Sequence, residues 1–339
     1  MKKSLFLFAT AALVLASCSN DVTVAENEAL AETQGQEIAF APLSNTPKRA
    51  IRRLPVEGTA FPSGQDMYVA AYDATKGADY FGQTTFDEDG STGLWKATPK
   101  KYWPMDATTL NFLAYTGVPS GSYFNATHPA QDLTITLADN TSNQYDLMYA
   151  CGRGTRARGA AASNVAMNFK HALALIKFTV KSAADYGTSL KLQSIVLDDA
   201  HYSGIYAVTH TGWDDAAAAQ AVSGSWSSVS TVADVTRTPA TADGWDADGN
   251  AIVTETAHPV GAGILVVPDD NDSENDYASF TINYTIDGKP YTYTHTPADL
   301  DVHQAKKYTF AITMTLNEII IEPSVTDYVE EGSNAVTIQ

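Results

Sequence analysis

Apolar and polar residues alternate with a period of two along most of the chain. Leu133-Thr134-Ile135-Thr136-Leu137 alternates cleanly, and so does Phe280-Thr281-Ile282-Asn283-Tyr284-Thr285-Ile286. In Tyr308 to Leu316 every even position is apolar and threonine dominates the other face. That pattern predicts half-buried strands, one face on a core and one in water. Less regular runs predict further strands at Met67 to Tyr72, Leu110 to Tyr115, Ile176 to Val180, Leu190 to Leu197 and Ile264 to Val267. Asp287-Gly288 between two alternating runs predicts a hairpin, because a type I′ turn needs positive φ at both central positions. One short helix is predicted where Asp214-Asp215 precedes Ala216 to Ala219. Many short strands between Gly, Asp, Asn and Pro clusters predict an all-β fold of antiparallel sandwiches.

The first eighteen residues break the pattern. Lys2-Lys3 is followed by an apolar run from Ser4 to Val14 and then by Leu15-Ala16-Ser17-Cys18. A basic start, a short apolar core and small residues make a secretory signal. A cysteine directly after Leu-Ala-Ser is the lipobox pattern, so Cys18 is expected to be the lipid acceptor; the alternative is an ordinary signal with a stray cysteine. Asn20 and Asp21 bear only weakly on retention at the inner membrane, and the destination is read as the outer membrane or beyond. Residues 19–35 are polar and acidic, as a flexible tether would be. The remaining length suits two domains. Their boundary is expected in the small-residue stretch Cys151 to Ser163, read as a loop, giving domains at 36–160 and 161–339.

The chain carries 39 acidic and 21 basic residues, a net charge of -18. That excludes nucleic acid as a partner, because phosphate binding needs clustered Lys and Arg. With Cys18 acylated, Cys151 has no partner and no disulfide framework is expected. Arg153, Arg156 and Arg158 form a basic island, read as an exposed loop in preference to an anion site. The seven histidines show no HExxH or HxH spacing, and His171 is expected to be buried or at a strand edge. Ser122 and Ser203 lack a nucleophile-elbow context. A carboxylate pair for glycoside hydrolysis is set by the fold and has no fixed sequence spacing. The chain is therefore read as a non-enzyme, with no catalytic residue, metal ligand or cofactor assigned. Asp246 to Asn250 and Asp269 to Asp272 lack the full calcium loop and read as solvated turns. Trp213, Trp226 and Trp245 lie in a loop-like stretch, 210–250, where a glycan-stacking platform competes with ordinary packing; Trp95 and Trp103 read as core.

Several motifs then follow in a set order. Glu37-Ile38-Ala39-Phe40 is a short strand, and Pro47-Lys48-Arg49-Ala50-Ile51-Arg52-Arg53 an arginine-bearing loop. Lys101-Tyr102-Trp103-Pro104 leads into Leu110 to Tyr115. Phe169 to Phe178 and a final strand running into Ile321 to Tyr328 complete the series. This order resembles the fimbrillin family, the lipoprotein-precursor subunits of type V pili; tyrosine stands at 328 where tryptophan is more usual. The resemblance implies two tandem transthyretin-like antiparallel β-sandwich domains. It implies a lipidated precursor at the cell outer membrane, surface-exposed, that passes into a fimbrium after an arginine-specific protease cuts the loop. Arg49, Arg52 and Arg53 are the candidate cleavage residues, and the sequence does not choose among them; a solvated basic turn is the alternative. Ile38 and Phe40 would anchor the displaced strand, with Glu37 and Ala39 facing out. Ile319, Ile321, Val325, Val336 and Ile338, in segment 317–339, would anchor a donor strand for other pilin subunits; an ordinary final strand is the alternative there. The competing function is a monomeric, lipid-anchored, glycan-binding surface protein.

Overall fold

The computed structural model describes residues 36–42, 64–104, 108–119, 121, 123–125, 132–156, 165–246, 251–268, 279–296, 302–328 and 335–338. Among them there is no α-helix, and one 3₁₀ turn spans Thr241–Asp243. The fold is all-β.

Nine strands form the first sheet: β1 (Ala39–Pro42), β2 (Met67–Asp73), β3 (Ala78–Asp89), β4 (Leu94–Ala97), β5 (Thr108–Thr116), β7 (Met148–Arg156), β8 (Val165–Asn168), β9 (Lys170–His171) and β19 (Ala335–Ile338). Their order is β8-β19-β1-β4-β3-β2-β5-β7-β9. The two end strands are consecutive in the chain, separated by Phe169 alone, so the sheet must curl until its ends meet. The curl encloses a core of Ile38, Phe40, Val69, Phe86, Trp95, Phe112 and their neighbours.

Two further sheets follow. One joins β10 (Ala174–Ser182), β13 (His258–Pro259), β14 (Ile264–Val266), β17 (Lys306–Met314) and β18 (Ile319–Asp327). The other joins β6 (Asp132–Leu137), β11 (Leu190–Thr211), β12 (Ala221–Arg237), β15 (Ser279–Ile286) and β16 (Lys289–His295). They enclose a second core around Phe178, Phe280 and Phe310, whose rings lie 4.9–5.7 Å apart. Pairing is antiparallel throughout except between β10 and β17, which run parallel. Asp287 (φ 49°) and Gly288 (φ 77°) make the predicted hairpin turn.

A third cluster lies between these cores and draws on all three sheets. It includes Tyr68, Leu113 and Tyr115 of the first sheet, Leu175 of β10, and Ile135, Tyr206 and Trp226 of the last sheet. Its position explains why β2 and β5 read as continuous apolar runs. Every residue of both strands is buried, because one face meets the first core and the other meets this cluster. Strands are shared across residue 160: β8, β9 and β19 join the first sheet, and β6 pairs with β11.

Two expectations are corrected. Residues 151–156, read as loop, belong to β7, which pairs with β5 along its whole length. Residues 216–219, read as a helix, are non-helical, with bends at 216–218 near the tip of the β11–β12 hairpin, and much of the stretch 210–250 is the seventeen-residue strand β12.

Candidate strand-exchange site

Residues 36–42 run as one extended segment. The Trp103 N–H donates to the Gln36 carbonyl and the Ile38 N–H to the Lys101 carbonyl, both at 2.7 Å. Ala39 and Phe40 then pair with Lys96 and Trp95 of β4. On its other side β1 pairs with β19, in the register Phe40↔Ile338, Ala41↔Thr337 and Pro42↔Val336. Ile38 and Phe40 are 0 % exposed. The Phe40 ring stands edge-on to Phe86 at 4.9 Å and to Phe112 at 6.3 Å. Burying each such side chain stabilises by roughly 1.5–3 kcal/mol. Ala39, expected to face out, is buried as well, and Glu37 pairs with Lys100 at 3.1 Å.

The residues singled out near the C-terminus fall on two strands. Ile319, Ile321 and Val325 lie on β18, opposite Met314, Ile312 and Tyr308 of β17. Ile319 and Ile321 pack against the second core, whereas Val325 is 53 % exposed on what is an edge strand of its sheet. Val336 and Ile338 lie on β19, which is inserted between β1 and β8. Cys18, Arg49, Arg52 and Arg53 lie outside the described residues.

Tyr328 directly follows β18 and is buried. Its hydroxyl donates to Asp146 Oδ2 at 2.8 Å, and its ring stacks on His171 at 3.8 Å. The His171 Nδ1 lies 2.8 Å from Asp146 Oδ1. Three side chains from distant parts of the sequence thus pin the end of β18 against β9 and the approach to β7. A second such point holds the β11–β12 hairpin tip on the first sheet. The Arg153 guanidinium donates to the carbonyls of Gly212, Asp215 and Ala218 and to Asn111 Oδ1, and Tyr72 meets Trp213 edge-on at 4.5 Å. Arg153 is therefore occupied by carbonyls. Trp226 and Trp245 are buried, their indole N–H groups donating to the Ala172 and Pro259 carbonyls, so neither is a stacking platform. Burial pushes the Cys151 thiol up, which disfavours the reactive thiolate. Among the described residues no group of three or more His, Cys, Asp or Glu side chains is arranged to hold a metal ion. No described helix is long and apolar enough to cross a membrane.

Residues 56–327 match the fimbrillin-like family. The chain belongs to that family. Solved structures similar to it include a fimbrial protein from Bacteroides vulgatus, 19% identical with a TM-score of 0.46, covering 78% of this chain and 93% of that one. A second is the tip fimbrial protein Mfa3 of Porphyromonas gingivalis with a C-terminal truncation, at 12% identity and a TM-score of 0.43, covering 86% of this chain and 99% of that one. A third, a Bacteroides ovatus protein assigned to cell adhesion, is 14% identical with a TM-score of 0.49, covering 81% and 91%. Comparison with curated proteins gives no match.

In this fimbrillin-like chain, sequence reasoning found the extended segment at 37–40 but not its neighbours. β4 is visible in hindsight as the alternation Leu94-Trp95-Lys96-Ala97. β8 and the pairing of β19 with β1 carry no local signal, because both join strands far apart in the chain.

Proposed function

We propose that this protein is a structural subunit of a cell-surface pilus. It is exported as a lipoprotein on Cys18, cut by an arginine-specific protease at Arg49, Arg52 or Arg53, and polymerised by strand exchange, contributing to adhesion. The observation that carries this reading is β1: a four-residue strand that fills a slot in the first sheet with Phe40 at the centre of the core. Removing it would leave an open sheet edge above exposed apolar surface, the template that strand addition uses. The donor is the C-terminal segment, Val336 and Ile338 foremost, and its acceptor is the same slot in another pilin subunit. Family membership supports the fimbrial role, and no catalytic step is assigned.

The test is limited proteolysis of the purified precursor with trypsin, N-terminal sequencing, and electron microscopy. First cuts between Lys48 and Arg53 followed by ordered rods support the reading. A chain ending at Tyr328, which keeps β18 in its sheet but lacks β19, should cut equally and form no rods. Rods from that shorter chain would remove β19 as donor. A cut protein that stays monomeric and soluble would favour the lipid-anchored, glycan-binding alternative.

A further inference from the structure

In this fold the strand that would be removed is also the neighbour of the strand that would be donated. β19 has two neighbours, β1 on one side and β8 on the other. Its pairing with β1 covers Val336, Thr337 and Ile338, and its pairing with β8 covers Ala335 to Ile338. β8 is four residues long and stands at the end of its sheet. Once β1 is gone, β19 keeps that four-residue strand as its one hydrogen-bonded neighbour and loses its pairing on the other edge. β1, by contrast, is tied to β4 and to residues 101–103 independently of β19.

We infer that β1 is the retaining strand of this chain's own C-terminal strand: its excision opens the acceptor slot and frees β19 as donor in a single event. Resting on the strand-exchange reading, this deepens it by assigning the regulation of donor availability. An uncut chain is then inert twice over. Its slot is filled by β1, and its β19 is paired on both edges, so it neither accepts nor donates. Two uncut copies cannot initiate a polymer, and an uncut copy cannot extend one that has begun. The partner that takes the freed strand is a second cut copy of this chain, whose β4 edge, left unpaired by the loss of β1, would receive side chains where Ile38 and Phe40 were.

Hydrogen exchange of the full precursor tests this directly, before and after the arginine-loop cut and removal of the N-terminal fragment, at a dilution where light scattering shows monomer. The amides of Ala335 to Ile338 should exchange at least about tenfold faster after the cut, as expected for loss of a hydrogen-bonded neighbour, while those of β10 and β17 stay protected. Unchanged protection of β19 would overturn the inference. A second variant guards against collapse of the cut chain. Ala41→Cys with Thr337→Cys places a disulfide across register partners of β1 and β19. This protein, cut while oxidised, should keep β19 protected and form no rods, and adding reductant should release rods. Failure of the disulfide to form, or rods from the oxidised sample equal to those from the reduced one, would also overturn it. If β19 is freed by the cut yet no rods appear under any condition, the retaining role stands and the polymerisation reading falls.

Discussion

Phe40 shows how much of the proposed site rests on single side chains. Its ring meets Phe86 and Phe112 in a core with no solvent access, so Phe40→Ala should cost about 3–5 kcal/mol, read as a lower urea midpoint of the uncut protein. A loss under about 1 kcal/mol would mean that β1 contributes little to the first core. Tyr328 is the second such residue. Tyr328→Phe keeps the ring stack on His171 and removes the hydroxyl bond to Asp146, at an expected cost of about 1 kcal/mol. The same comparison at Gly117 should be harsher: its φ is +87°, and an added Cβ would lie 1.7 Å from the Asp146 carbonyl oxygen, so Gly117→Ala should fail to yield folded protein. The sequence made His171 legible as a buried residue, because it opens an apolar run. It could not reveal Asp146, 25 residues away, or Tyr328, 182 residues from Asp146, since such partners are chosen by the fold and not by spacing.

Among strands, legibility followed one-sided burial. β6, β15 and β17 each have one face in a core and alternate in sequence as they do in space. β12 was missed because only Val222, Trp226 and Val235 of its described side chains are buried, and their spacing is broken by register shifts against β11. The expected helix at 216–219 failed because the Arg153 guanidinium claims carbonyls there that a helix would need. Turns between strands give a pH expectation. Asp89 is held below the usual carboxylate range, first by the hydrogen bond from Lys96 and then by those from Ser91 and Thr92. Its folded pKa lies below the unfolded value, so its contribution is complete above the unfolded pKa of about 4 and is lost as pH falls through the folded one. The difference in urea midpoint between wild type and Asp89→Asn should therefore be present at neutral pH and shrink in acid. A difference that grows on acidification would contradict this account.

At the scale of the whole molecule, the β class was visible in the sequence because alternation is a local pattern, whereas the expected export signal and arginine loop lie outside the described residues. The way β19 returns to the first sheet is a long-range property and left no such trace. The lipobox gives a prediction about the precursor as a unit: a fatty-acid analogue should label the wild type and not Cys18→Ala, and equal labelling of both would end the lipoprotein reading. Arg153→Ala should release the β11–β12 tip, seen as faster hydrogen exchange in residues 212–220 with the second core unaffected. That hairpin has a mechanical consequence. β11 is 22 residues long, roughly 70 Å at about 3.3 Å per residue. Its first part is paired with β15 over the second core, its later part with β6 over the central cluster, and the tip beyond it is gripped by the first sheet. Tension applied along β11 would load these ladders lengthwise, so that many bonds share the force at once and none is peeled alone. In a fibre assembled by the proposed exchange and pulled along β11, each copy would act as a splinted link whose longest ladder is interrupted at Leu197–Ala200 and Ser203–Ile205.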